Sequence, residues 1–98
     1  MIHVLIRHEV ADYTAWKAVF DSNLDWRHKR GERSCRIFRS VEKANDLTLF
    51  FEWESPETAR AFLASAELAS KMAAAGVKGA PRIEILSEVH TLRRSSAD

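Results

Sequence analysis

The chain reads as one α+β domain with the element order β-α-β-β-α-β, and three features of its 98 residues predict this. Residues 2–10 alternate with the two-residue period of a strand: Ile2, Val4 and Ile6 fall on one side, His3, Leu5, Arg7 and Glu9 on the other. Two amphipathic segments of helical period each follow a strand, and two further strand-like stretches lie between them. Residues 47–53 are apolar on both faces, because successive side chains on a strand point to opposite sides. Leu47, Leu49, Phe51 and Trp53 line one face, and Phe50 joins Thr48 and Glu52 on the other.

After the first strand, the carboxylate of Asp12 is placed to accept from free backbone N–H groups and so to cap a helix. Tyr13, Trp16, Phe20 and Leu24 give that helix one apolar stripe, and Gly31 ends it. Residues 35–41 form the second strand, residues 43–46 a polar connection, and residues 47–53 the returning arm of a hairpin. With that loop, Val41 opposes Thr48, Arg39 opposes Phe50 and Ile37 opposes Glu52. Ser55 followed by Pro56 starts the next helix, with a capping hydroxyl and then a residue whose missing N–H is not needed there. Ala59, Phe62, Leu63 and Ala66 continue it. Ser65 caps a further segment carrying Leu68, Met72 and Ala75, which Gly76 terminates. Gly79 and Pro81 fall in a loop before a last strand at residues 82–92. Residues 93–98 are a flexible polar tail, so the domain spans residues 1–92. Short connections and right-handed crossovers turn this order into a ferredoxin-like fold, a four-stranded antiparallel sheet with two helices on one face.

Those helices shelter one face only. Ile2, Val4, Ile6, Phe38, Leu49, Phe51 and Trp53 suit the sheltered side. His3, Leu5, Arg7, Cys35, Ile37, Arg39, Phe50 and Glu52 collect on the other, a mixture of apolar and charged groups that fits a partly enclosed space. The expected cover is a second copy of the chain, giving a homodimer through the sheet face. Isolated buried charges are very unfavourable, so the arginines and the glutamate there are expected to pair.

Composition narrows the function classes. A net charge of +1 gives no general attraction to nucleic acid or anionic membranes. No apolar run approaches the length of a membrane span, and the N-terminus lacks a signal-peptide pattern. The lone Cys35 forms no internal disulfide, which points to a reducing, cytoplasmic setting. His3 and His8 fall on opposite faces of one strand and His28 and His90 have no ligand-like spacing, so no metal site is expected. Neither glycine-rich nucleotide motif occurs, and no flavin signature is present.

Arg7, His8, the stretch Val10-Ala11-Asp12-Tyr13 with Trp16, the pair Arg39-Ser40 and the run Phe51-Glu52-Trp53 resemble a small bacterial branch of the dimeric α/β-barrel superfamily. That superfamily includes antibiotic biosynthesis monooxygenases, muconolactone-isomerase-like proteins and stress-responsive barrel proteins. The resemblance covers nearly the whole chain, from Ile2 to about Val89. It implies two sheets meeting across a two-fold axis, with a pocket between each sheet and its helices or within the barrel. It further implies a cofactor-free monooxygenase or isomerase acting on a small aromatic or polyketide-like compound. The alternative it leaves open is a non-catalytic small-molecule-binding or stress-related homodimer. Haem-degrading members need a tryptophan and a histidine on the second helix. Trp53 is on a strand and residues 56–77 hold no histidine, which argues against haem oxygenation.

The candidate site residues follow from the faces and from this resemblance. Arg7, Arg39 and Glu52 either hold a carboxylate, phenolate or enolate or form a structural salt-bridge network at the dimer core. His8 either acts as a general base near neutral pH or bonds a backbone group at the strand end. Trp26 lies off the Tyr13, Trp16, Phe20 stripe and either lines a pocket, touches the partner chain or packs on the following loop. Arg27, His28, Lys29, Arg30 and Arg33 complement the C-terminal end of the helix dipole. In the enzyme reading, His8 and Arg39 are catalytic, while Arg7, Phe50, Glu52 and Trp26 bind the substrate. There His8 moves a proton and Arg7 or Arg39 stabilises an enolate-like anion.

Overall fold

The computed structural model describes residues 1–94, so residues 95–98 of the expected tail lie outside the described residues. Its elements are β1 (Ile2–Val10), α1 (Tyr13–Ser22), α2 (Leu24–Arg30), β2 (Glu32–Arg39), β3 (Asp46–Trp53), α3 (Pro56–Leu63), α4 (Ala66–Ala74) and β4 (Val77–Ser87). The strands pair antiparallel in the order β2-β3-β1-β4, the ferredoxin-like topology. The helices pack on one face of this sheet.

Three side-chain caps form where the sequence places them. Asp12 accepts from the Ala15 N–H at 2.8 Å, Ser55 from Thr58 at 3.1 Å and Ser65 from Leu68 at 3.2 Å. Each satisfies a donor that the first turn of a helix leaves free. The first helix is not continuous, however. Ser22 and Asn23 both donate to the Val19 carbonyl, at 2.7 and 3.0 Å, and so compete with the backbone ladder where α1 gives way to α2. The break re-aims α2 and turns Trp26 and Arg27 inward from the line of α1.

Two strand boundaries differ from expectation. β4 covers residues 77–87 rather than 82–92, with Gly79 and Pro81 inside it. An edge strand tolerates this proline, since its missing N–H can lie on the unpaired side, and the register with β1 shifts between Arg7 and Glu9. The β2–β3 connection runs over residues 40–45, fixed by bonds from Ser40 N–H to the Asp46 carbonyl and from Asp46 N–H to the Lys43 carbonyl. Val41 is consequently in the loop and 96% exposed.

That longer loop changes the register by an odd number of residues, which exchanges the faces of the strand. Arg39 opposes Leu47, Ile37 opposes Leu49 and Cys35 opposes Phe51, all on the helix-covered side. Arg36 opposes Phe50, Phe38 opposes Thr48 and Ser34 opposes Glu52 on the open side. Cys35, Ile37 and Arg39 therefore leave the open face, and Phe38 joins it.

The core lies between sheet and helices. Val4, Ile6, Leu49, Phe51 and Trp53 from the strands meet Trp16, Ala59, Phe62 and Leu68 from the helices. Burying each large side chain there contributes about 1.5–3 kcal/mol.

Candidate functional site

Within this core the sheet and helices leave a cavity of about 50 Å3. Ile6, Leu49 and Phe51 form its floor on the sheet, and Trp16, Phe20 and Phe62 wall it from the helices. Asn23, Trp26, Lys71 and Met72 line it too, and these are only half-buried, so the cavity opens between α2 and α4.

His8 continues the inward-facing row of β1 after Ile6 and projects into this apolar space. It is 5% exposed, and neither ring nitrogen has a hydrogen-bond partner. Of the two readings of His8, the bond to a backbone group at the strand end is absent. Burial lowers its pKa from 6.5, so the imidazole is neutral at neutral pH and one nitrogen keeps a free lone pair. Buried polar groups without partners are uncommon, and one aimed into a cavity marks a place where something else can bond.

Arg27 and Glu32 form the other polar group of this region. Arg27 Nε lies 2.6 Å from Glu32 Oε1, both side chains are buried, and Arg27 also donates to the Phe20 carbonyl. Its guanidinium stacks 3.6 Å from the Phe20 ring centroid. A register irregularity between Glu32 and Ser34 allows Glu32 to turn inward at the start of β2. Arg27 is in the last turn of α2, as the helix-dipole account has it, and is in addition neutralised inside the protein by Glu32.

The remaining sequence candidates lie elsewhere. Arg7 is exposed on the open face, beside Thr48 and Arg82, and belongs to no ion pair among the described residues. Glu52 accepts from the Ser34 hydroxyl at 3.1 Å. Arg39 is on the opposite face, its guanidinium 4.4 Å from the Tyr13 ring centroid and its Nε donating to the Ala44 carbonyl at 2.9 Å. The expected Arg7–Arg39–Glu52 cluster therefore does not form, because the register places Arg39 beneath the sheet and the other two above it. Phe50 stacks on the His3 ring at 4.5 Å, on the open face. Of the six candidates, only His8 and Trp26 share the cavity.

Solved structures with this architecture give the geometry a context. SnoaB from Streptomyces nogalater, a cofactor-independent oxygenase, matches with a TM-score of 0.74 over 95% of this chain and 97% of that one, at 16% identity. A monooxygenase from the ActVA-Orf6 gene of Streptomyces coelicolor, in complex with nanaomycin D, matches with a TM-score of 0.70 over 96% and 92%, at 17% identity. The chain shares the ferredoxin-like α+β fold of these two solved structures. Rv0793 from Mycobacterium tuberculosis shares it, with a TM-score of 0.66 over 94% and 98% at 18% identity. No family model and no curated protein matches the sequence.

Within this fold, the sequence alone missed Lys71, Asn23 and the inward turn of Arg27. Glu32, directly after the helix-ending Gly31 and five residues from Arg27, was the available signal for a buried pair. Cys35 is no candidate nucleophile, since burial and the nearby Glu32 carboxylate push its thiol up to about 12. Among the described residues no group of three His, Cys, Asp or Glu side chains is arranged to hold a metal ion, and no helix is long and apolar enough to cross a membrane.

Proposed function

We propose that the protein is a cofactor-independent monooxygenase that binds a small aromatic or polyketide-like compound in the cavity beneath the sheet, with His8 as the base. The observation that carries this is the neutral, unpartnered His8 imidazole in an apolar chamber walled by aromatic rings. A substrate with an acidic ring methylene gives its proton to His8 and becomes a delocalised carbanion. The carbanion passes an electron to dioxygen and the resulting pair couples to a peroxide. His8 returns its proton to the peroxide, and elimination of water leaves a carbonyl, so that CH2 plus O2 gives C=O plus H2O. An isomerase would share the first step and return the proton to another carbon.

The test is oxygen consumption with anthrone, a tricyclic compound with one activated methylene, above the protein-free rate. The wild type is expected to consume oxygen, and His8→Gln to lose that activity while retaining ligand binding. The small cavity favours a second reading, a binding protein without turnover. Binding of anthrone by the wild type with no oxygen consumed would support that reading and reject the first.

We further infer a homodimer through the open sheet face. Phe38 is 49% exposed there and Leu86 36%, with Leu5 and Phe50 beside them, and no helix among the described residues covers the row. Free Cys35 fits a reducing, cytoplasmic compartment.

A further inference from the structure

The opening of the cavity carries a positive charge that no ion pair among the described residues neutralises. Lys71, on α4, reaches across to α2, where its ammonium donates to Asn23 Oδ1 at 2.6 Å and lies 4.8 Å from the Trp26 ring centroid. Both partners are electrically neutral. The nearest carboxylate along the helix, Glu67, is engaged elsewhere: Oε1 meets Arg30 at 2.6 Å and Oε2 accepts from Trp26 Nε1 at 3.2 Å. Lys71 belongs to no ion pair among the described residues, whereas the other cation lining the cavity, Arg27, is matched by Glu32. The chamber thus presents a neutral base at His8 and a net cation at its opening, both half-buried or more and separated by aromatic surface.

We propose that Lys71 is the specificity-determining residue of this cavity, taking a carboxylate or another ring-borne oxyanion of the substrate in place of the Asn23 amide oxygen. The proposal rests on the small-molecule reading of the cavity given above and adds the substrate class, an aromatic acid anion. A charged acceptor replaces a neutral one on an ammonium already held in a part-desolvated position, so the exchange is electrostatically favourable. The same exchange explains how a cavity of about 50 Å3, far below the volume of a ring-sized ligand site, can admit a ring. Once Lys71 releases Asn23, its four-carbon stem is free to move outward from the opening. Arg30, Glu67 and Trp26 stay linked as the hinge side of the opening.

The test is calorimetric titration with two probes of nearly equal shape, 2-naphthoate and its neutral isostere 2-naphthamide. The wild type should bind the naphthoate more than about tenfold more tightly, the size of one hydrogen bond to a charged group. Lys71→Met should abolish that preference by weakening the naphthoate alone, and Lys71→Arg should keep most of it. Lys71→Gln, which retains a polar end, is the second variant and should behave as Lys71→Met. Equal binding of both probes by the wild type, or an unchanged preference in Lys71→Met and Lys71→Gln, overturns the role of Lys71 but leaves the cavity a ligand site. Binding of neither probe overturns the cavity reading and this inference with it.

Discussion

The His8 imidazole meets the Trp16 indole edge to face, with ring centroids 5.8 Å apart and planes at 75°. Aromatic packing of this kind orients the imidazole without consuming either nitrogen. Trp16 is itself held by Phe20, stacked at 4.8 Å, and Phe20 by the Arg27 guanidinium. A buried ion pair, two aromatic rings and the candidate base thus form one continuous column from α2 to β1.

Burial of His8 makes stability depend on pH with a definite sign. Its pKa in the folded protein lies below the 6.5 of an unfolded chain, so between those two values the unfolded state binds more protons. Stability should therefore fall as pH drops through 6.5 and level off below the folded value. Urea denaturation at a series of pH values checks this. In His8→Gln the difference from wild type should vary across that window, and a pH-independent difference would refute the burial effect.

Removing one half of the Arg27–Glu32 pair strands the other. Arg27→Met leaves a buried carboxylate whose remaining neighbour in the ion-pair position is the half-exposed His28 ring, 3.5 Å away. A loss of about 3–5 kcal/mol in unfolding free energy is expected, as for broken buried pairs generally. The double variant Arg27→Met, Glu32→Leu should recover much of that loss.

Gly31 is required by its surroundings as well as its backbone. Its φ is +124°, and a Cβ there would stand 2.6 Å from Trp53 Nε1, a buried nitrogen in the core. Gly31→Ala should cost about 1–3 kcal/mol from backbone strain, with a further loss from displacing the indole. Thermal unfolding measures it, and tolerance within a degree or two of wild type would contradict the packing described.

The open sheet face should govern assembly. Sedimentation at micromolar concentration should report a dimer, and Phe50→Asp, which sets a charge among Leu5, Arg36 and His3, should yield monomers. A well-folded wild-type monomer would remove the proposed interface.

Most of the fold was legible in the sequence because its signals are local. The alternation in residues 2–10, the capping residues Asp12, Ser55 and Ser65, and the two-faced strand around Phe50 each specify their own element. The site was less legible, because it depends on registers and kinks set by a few polar atoms. Placing Arg39 needed the hairpin loop length, which Ser40 and Asp46 decide through backbone bonds. Placing Trp26 needed the helix break at Asn23, where an amide side chain competes with the backbone. Lys71 gave no signal at all, since its meaning lies in the neutrality of Asn23 and Trp26, reached only in three dimensions.

The measurement that bears most directly on the site is NMR of protein labelled at histidine and tryptophan, titrated with 2-naphthoate. Shifts concentrated at His8, Trp16 and Trp26 are expected, with His3 on the open face unmoved. Shifts at His3 with His8, Trp16 and Trp26 unchanged would place the ligand on the sheet surface and contradict a functional cavity around His8.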